Sequence, residues 1–113
     1  MAKDDYFVLV YKILAYLYTS LKEGTPPNPD MLLSSSLFLN INEAYWAYIM
    51  DNLQKQGLIC GLVISPAWGG KTVVSGLENC QITPDGIAYL FENDLLSKAK
   101  ELLKDIKTMT PFI

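Results

Sequence analysis

The sequence predicts one α+β domain of the winged-helix type, with a helix-turn-helix, a β-hairpin wing and additional C-terminal helices. Helical apolar spacing appears first, then two β-branched runs around a glycine-rich loop, then helical spacing again. That order is the order of a winged helix. Half of the 113 residues are apolar, which is enough for one buried core. We expect a single domain over residues 1–113: helix one over 1–24, a helix-turn-helix over 28–57, a wing hairpin over 58–82 and C-terminal helices over 83–107.

Helix one is predicted to begin after Asp4 or Asp5 and to end at Gly24. It is apolar on most of its circumference and therefore needs cover on two sides. That cover comes either from another helix of the chain or from a second subunit. We expect a homodimer formed through helix one and the terminal helix, with helix one contributing the side chains that lie off its main apolar row: Leu9, Ile13 and Tyr16.

The helix-turn-helix is marked by capping residues. Asn28-Pro29-Asp30 predicts a short second helix through Leu32 and Leu33, because asparagine caps and proline suits the first helical position. Asn42 predicts the start of a third helix at Glu43, which continues to Gln56 and is closed by Gly57. Its expected buried stripe consists of Trp46, Ile49, Met50 and Leu53.

Two strands and further helices are expected next. Residues 58–65 and 72–74 are apolar and β-branched, and the intervening loop contains Gly69 and Gly70. Thr83-Pro84-Asp85 then starts a helix whose expected core residues are Ile87, Leu90 and Phe91. Asn93-Asp94 is expected to break that helix before a last one, which begins at Leu95.

Two segments carry a family resemblance. They are Gln56-Gly57-Leu58-Ile59, at the junction of the third helix and the first strand, and residues 82–93, which read ITPDGIAYLFEN. Together with the lysine-spaced terminal helix, they make the chain resemble the YjcQ-like proteins of bacteria and their phages. The resemblance covers most of the chain. It implies a winged-helix-like fold of the DNA-binding type, and it implies no particular activity because members of that family largely lack an assigned function.

The charged and reactive residues limit the chemistry. Net charge is −3, all nine basic residues are lysines, and histidine is absent. Without arginine the commonest reader of guanine is missing, and without histidine the usual nucleophile pairs cannot form. Cys60 and Cys80 lack metal-ligand or redox spacing, so we expect two buried reduced thiols, with a disulfide as the alternative. We therefore expect no enzyme activity, no metal and no cofactor.

The N-terminal residues predict a cytoplasmic protein without membrane association. Met1 to Asp5 precede an apolar run that Lys12 interrupts. Such a run fits neither a signal peptide nor a membrane span.

The outward face of the third helix is the first candidate contact surface. It is expected to consist of Glu43, Ala44, Ala47, Tyr48, Asp51, Asn52 and Lys55. Asn52 is able to bond adenine, and Tyr48 is able to bond a phosphate, with Lys55 as the only cation. Two acids against one lysine would oppose phosphate binding, so a solvated or protein-facing surface is the alternative.

The wing tip is the second candidate. Trp68 and Lys71 flank two glycines there. An exposed tryptophan would serve as an anchor for a partner or lie against a nucleic-acid backbone beside the lysine, whereas the alternative is that it folds onto its own sheet. Two functions follow: a DNA-binding or regulatory winged-helix protein that contacts double-stranded DNA, or a protein-interaction or dimerisation module that does not bind DNA.

Overall fold

A computed structural model describes residues 5–92 of the chain, so the expected last helix from Leu95 lies outside the described residues. The described part is an α+β structure with three α-helices and two small antiparallel sheets. The helices are α1 (Tyr6–Glu23), α2 (Glu43–Lys55) and α3 (Pro84–Glu92). The strands are β1 (Ile59–Cys60), β2 (Val63–Pro66), β3 (Thr72–Ser75) and β4 (Gln81–Ile82). Single 3₁₀ turns cover Pro29–Leu32, Trp68–Gly70 and Leu77–Asn79.

Helix α1 is the central element of the core. It follows Asp5 and ends at Gly24, whose φ of 72° is the left-handed conformation expected after a helix. Leu9 and Ile13 are 0% exposed and Tyr16 is 2% exposed, because α2, α3 and β4 of the same chain cover α1. These three side chains are therefore not accessible to a second subunit. The predicted dimer interface through them is therefore wrong.

The connection from α1 to α2 follows the capping signals. The Asn28 side-chain oxygen accepts a hydrogen bond from the Asp30 backbone N–H at 3.0 Å, and the short helix that it starts is one 3₁₀ turn. That turn ends where Leu33 becomes extended. The Asn42 side-chain oxygen accepts from the Tyr45 N–H at 2.8 Å and caps α2 at the predicted position.

Helix α2 buries the predicted stripe of Trp46, Ile49, Met50 and Leu53. The Trp46 indole N–H donates to the Leu32 carbonyl at 2.7 Å, which fixes α2 against the 3₁₀ turn. Ala47 was expected on the outward face, but it is only 5% exposed. The buried arc of α2 is thus wider than the predicted stripe.

The hairpin predicted over 58–82 is present as two short ladders instead of one. In the outer ladder Val63 pairs with Ser75 and Pro66 with Thr72, and in the inner ladder Ile59 pairs with Ile82. The break falls at Gly61, where φ is 96° and the backbone lies against that of Asn79. The predicted continuous strand over 58–65 is therefore interrupted.

Helix α3 begins at Pro84 as predicted, because the Thr83 hydroxyl accepts from the Gly86 N–H at 3.0 Å. The same hydroxyl donates to the Gly57 carbonyl and so ties α3 to the end of α2. Of the three expected core residues, Leu90 is fully buried and Ile87 is partly buried, but Phe91 is 53% exposed. The placement of Phe91 in the core is therefore corrected. No helix within residues 5–92 is both long and apolar enough to cross a membrane.

Candidate interaction surface

Tyr48 lies on the outward face of α2 and is 60% exposed. The acidic residues of this helix are Glu43 before it and Asp51 after it. Lys55 is paired with Asp51 of the preceding turn at 3.1 Å. The Asn52 amide donates to the Tyr48 carbonyl of its own helix at 2.8 Å. Of the three α2 residues predicted to contact nucleic acid, Asn52 and Lys55 thus already have a partner within the helix, although Lys55 stays largely exposed.

Tyr48 belongs to an aromatic cluster with Tyr6 and Phe7 of α1. The Tyr6 ring lies 5.4 Å from Phe7 and 6.4 Å from Tyr48 between centroids, both in edge-to-face orientation. Phe7 is 54% exposed. Burial raises the pKa of Tyr6, with a further rise from Tyr48 and an opposing hydrogen bond from Gln56. The cluster is therefore a partly exposed aromatic surface that includes two tyrosines.

The hairpin tip carries the most exposed large apolar side chain of the described residues. Trp68 is 97% exposed, so the alternative in which it folds onto its own sheet is wrong. Gly69 and Gly70 have φ of 77° and 76°, left-handed values that glycine adopts without strain. Lys71 is exposed at the base of the loop. The two residues predicted at the wing tip are therefore both presented to solvent.

One face of the hairpin is also open. Val63 of β2 is 59% exposed and Val73 of β3 is 44% exposed, and both point away from the core. Ile64 and Val74 alternate with them and pack partly against the core. The sequence did not single out Val63 and Val73, because each has an apolar neighbour, Ile64 or Val74, and the apolar pattern therefore does not show which of the two faces outward.

Gln54 fixes the hairpin to α2, and the sequence offered no signal for this role. Its amide N–H donates to the Leu62 carbonyl at 2.9 Å, and its amide oxygen accepts from the Leu62 N–H at 2.8 Å. Leu62 lies where the ladder is interrupted, so a side chain of α2 replaces a neighbouring strand at that point. Two side-chain hydrogen bonds consequently join α2 to the start of the hairpin.

The described residues carry an acidic balance. Four lysines stand against eight acids: Lys12, Lys22, Lys55 and Lys71 against Asp5, Glu23, Asp30, Glu43, Asp51, Glu78, Asp85 and Glu92. Lys12 donates to the Phe38 carbonyl at 3.1 Å, and the Lys22 ammonium lies 5.3 Å from the Tyr18 ring centroid. With Lys55 paired to Asp51, Lys71 is the lysine best placed within residues 5–92 to meet an anion.

A cleft of about 510 Å³ lies between the end of α1, the Pro26-Pro27 connector and the β1–β4 ladder. Cys60 is exposed on its wall, which corrects the prediction that both cysteines are buried. Cys80 is buried, and burial raises the pKa of its thiol to about 12, with Cys60 adding to the rise. Both thiols are free, so the alternative of a disulfide is not found.

Comparison with known proteins places the chain in a family. The family model described as YjcQ protein matches residues 11–109, so the chain belongs to the YjcQ family. The match covers all of the described elements except the first residues of α1. The resemblance read from residues 56–59 and 82–93 is thereby confirmed. No curated protein and no solved structure matches the chain.

Proposed function

We propose that this member of the YjcQ family is a non-catalytic winged-helix protein that binds another protein, with Trp68 as the anchor of the contact. The order of α1, the 3₁₀ turn, α2 and the hairpin supports a winged helix, in which the hairpin is the wing. The proposal rests on one observation above all: Trp68 is 97% exposed at the tip of that hairpin.

The size of the side chain explains why this exposure matters. Burying an aromatic side chain removes 150–250 Å² from water, which stabilises a complex by about 4–6 kcal/mol before the entropic cost of association. Tryptophan is also among the residues most enriched at the centres of protein interfaces. A partner with an apolar pocket would gain most of its affinity from this one side chain.

Charge supports a protein partner over a nucleic acid. The outward face of α2 combines Glu43 with the Asp51–Lys55 ion pair, and so offers phosphate no net positive charge. Binding to duplex DNA depends on several neutralised phosphates. Tyr48 and its aromatic cluster instead resemble the composition of protein interfaces, where tyrosine is enriched and charge is depleted.

The test is photo-crosslinking from position 68. Trp68 is replaced by a photoreactive phenylalanine analogue, and the protein is irradiated in an extract of the cells that produce it. We expect one discrete protein adduct, which excess wild-type protein competes away and excess Trp68→Ala protein does not. The matched control carries the analogue at Leu37, which is 79% exposed but lies outside α2 and the hairpin. Equal adducts from both positions, or equal competition by Trp68→Ala, would contradict the proposal.

DNA binding is the second candidate, and the position of Lys71 beside Trp68 at the wing tip favours it. A gel shift at low salt with generic duplex DNA separates the two candidates. The protein-binding proposal expects no retardation at micromolar protein. Retardation that weakens in Lys71→Ala, and that falls steeply with added salt, would instead support DNA binding.

A further inference from the structure

The cleft beside the end of α1 contains a hydroxyl group without a hydrogen-bond partner. Ser20 lines this cleft and is only 7% exposed. Within residues 5–92, no hydrogen bond engages its hydroxyl. The hydroxyl is not sealed in the core, because every fully buried side-chain nitrogen and oxygen of the described residues has a partner. It therefore faces the cleft, where a ligand that donates a hydrogen bond can reach it.

The rest of the cleft combines apolar walls with one charge. Its apolar walls are formed by Leu17, Leu21, Pro26, Pro27 and Ile82. Glu78 is the one charged residue among the described residues that line it, and its side chain is exposed. No lysine of the described part of the chain forms an ion pair with Glu78. The volume of about 510 Å³ falls within the range of clefts that bind ligands.

These groups indicate which chemistry the cleft would bind. The apolar walls favour an aromatic ring, the Ser20 hydroxyl needs a donor, and Glu78 favours a cation at the exposed edge. A tryptophan meets the first two requirements, since its indole N–H needs an acceptor once the ring is buried. The same requirement is met inside the chain at Trp46, whose N–H donates to the Leu32 carbonyl.

The wing tip of this chain, residues 68–71, carries the matching groups. Trp68 is 97% exposed, so it does not enter the cleft of its own chain. Lys71 is exposed three residues later, and no acid of residues 5–92 pairs with it. The two residues between them are glycines, and a Cβ at either would meet nothing within 4 Å. The tip is therefore narrow, and no side chain lies between the tryptophan and the lysine.

We propose that the cleft receives the wing tip of a second copy of this chain. The Trp68 ring lies between the apolar walls, and its indole N–H donates to the Ser20 hydroxyl. Lys71 pairs with Glu78 at the exposed edge. A reciprocal exchange of tips gives two equal contacts about a two-fold axis and closes the assembly as a dimer. The inference rests on the proposed role of Trp68 as an anchor and names the partner that it binds.

Charge complementarity favours a second copy as the occupant. Lys71 on the tip and Glu78 on the cleft have opposite charges, and neither is neutralised by the described part of its own chain. The hairpin from Leu62 to Gly76 has no other charged residue, so no like charges meet when the tip enters. A nucleic-acid phosphate would attract Lys71 but would find only a carboxylate in the cleft.

Alkylation of Cys60 by iodoacetamide reports whether the cleft is occupied. Cys60 is exposed on the cleft wall, whereas burial raises the pKa of the Cys80 thiol to about 12, so the reagent attacks Cys60 first. With the reagent in excess, we expect the wild-type rate constant to fall at least about threefold as the protein rises from about 10 μM to about 1 mM. Leu37→Ala should behave alike, and Trp68→Ala should show no fall. A wild-type rate constant independent of protein concentration, or an equal fall in Trp68→Ala, would overturn the proposal.

Charge reversal tests the contact at the edge of the cleft. In sedimentation, Glu78→Lys should weaken the dimer at least about fivefold, because it sets a lysine against Lys71 in both contacts. The double variant Lys71→Glu/Glu78→Lys restores opposite charges and should dimerise within about twofold of the wild type. Glu43→Lys, which reverses an exposed acid on α2, is the matched control and should leave the dimer unchanged. A double variant as weak as Glu78→Lys would contradict the pairing.

Crosslinking of the purified chain separates this inference from the proposed function. The chain with the photoreactive analogue at position 68 should form an adduct of two copies, joined at the cleft residues 17–27 or 78–82. If the purified chain gives no such adduct while an extract yields an adduct with another protein, the second copy is wrong and Trp68 remains an anchor. If neither gives an adduct, both proposals fail.

Discussion

Gly61→Ala is expected to lower the free energy of unfolding by roughly 2–5 kcal/mol, the combined effect of overpacking and backbone strain. A Cβ at this position would overlap the carbonyl oxygen of Asn79, which is a backbone atom and cannot rotate away. The φ of 96° adds strain for any side chain. Relief would require the 3₁₀ turn Leu77–Asn79 to move away from the β1–β2 junction. Urea denaturation of the two proteins measures the difference.

Gly69→Ala is the matched control for Gly61→Ala. Gly69 also has a left-handed φ, 77°, but a Cβ there meets nothing within 4 Å. The conformational penalty remains and the clash does not, so we expect a loss of only about 1 kcal/mol. Equal losses for the two variants would show that the close approach to Asn79 contributes nothing, and would contradict the described break in the hairpin.

Ile13→Ala is expected to cost about 2–5 kcal/mol of stability, because Ile13 is fully buried between α1 and the elements that cover it. The lost methyl groups leave a cavity that close-packed helices cannot fill. Chemical denaturation gives the magnitude, and Leu37→Ala, at a site 79% exposed, should change stability by less than about 0.5 kcal/mol. If Ile13→Ala lost little stability and changed the self-association of the protein, the result would contradict the burial of Ile13 within one chain and would support its place in a subunit interface.

Local signals explain most of what the sequence predicted correctly. Asn28, Asn42 and Thr83 each accept a hydrogen bond from a backbone N–H two or three residues further on. Such contacts depend on neighbouring residues alone, so they are readable before the fold is known. The third predicted helix was accordingly correct to within one residue at its C-terminal end, Lys55 instead of Gln56.

Contacts between distant segments explain what the sequence could not provide. Helix α1 is apolar on most of its circumference, which correctly predicted that other elements pack against it on two sides. The spacing of apolar residues does not show whether those elements belong to the same chain or to a second copy. The Gln54 clamp, the pair of hydrogen bonds from the Gln54 amide to the Leu62 backbone, joins two residues that are eight positions apart in the sequence. A glutamine at that place has no preferred partner until the hairpin is in position. The clamp therefore depends on tertiary structure.

Side-chain exposure was the least predictable property of the candidate site. Trp68 and Phe91 are both aromatic residues next to turn or helix-end signals, and both are exposed. The sequence left exposure and burial of Trp68 open, and it wrongly placed Phe91 in the core. Cys60 is the last residue of β1 and Cys80 directly precedes the partner strand β4, and only Cys80 is buried. Exposure depends on which face the final register turns inward, and a shift of one residue exchanges the two faces.

The affinity of the protein captured from position 68 for wild type and for Trp68→Ala is the most direct measure of the role proposed for this chain. Titration calorimetry with the purified partner should give at least a roughly 30-fold weaker affinity for Trp68→Ala, about 2 kcal/mol, with unchanged protein stability. Leu37→Ala should bind as the wild type does. An affinity of Trp68→Ala within about twofold of wild type, a difference below 0.5 kcal/mol, would contradict the role of Trp68 as the anchor.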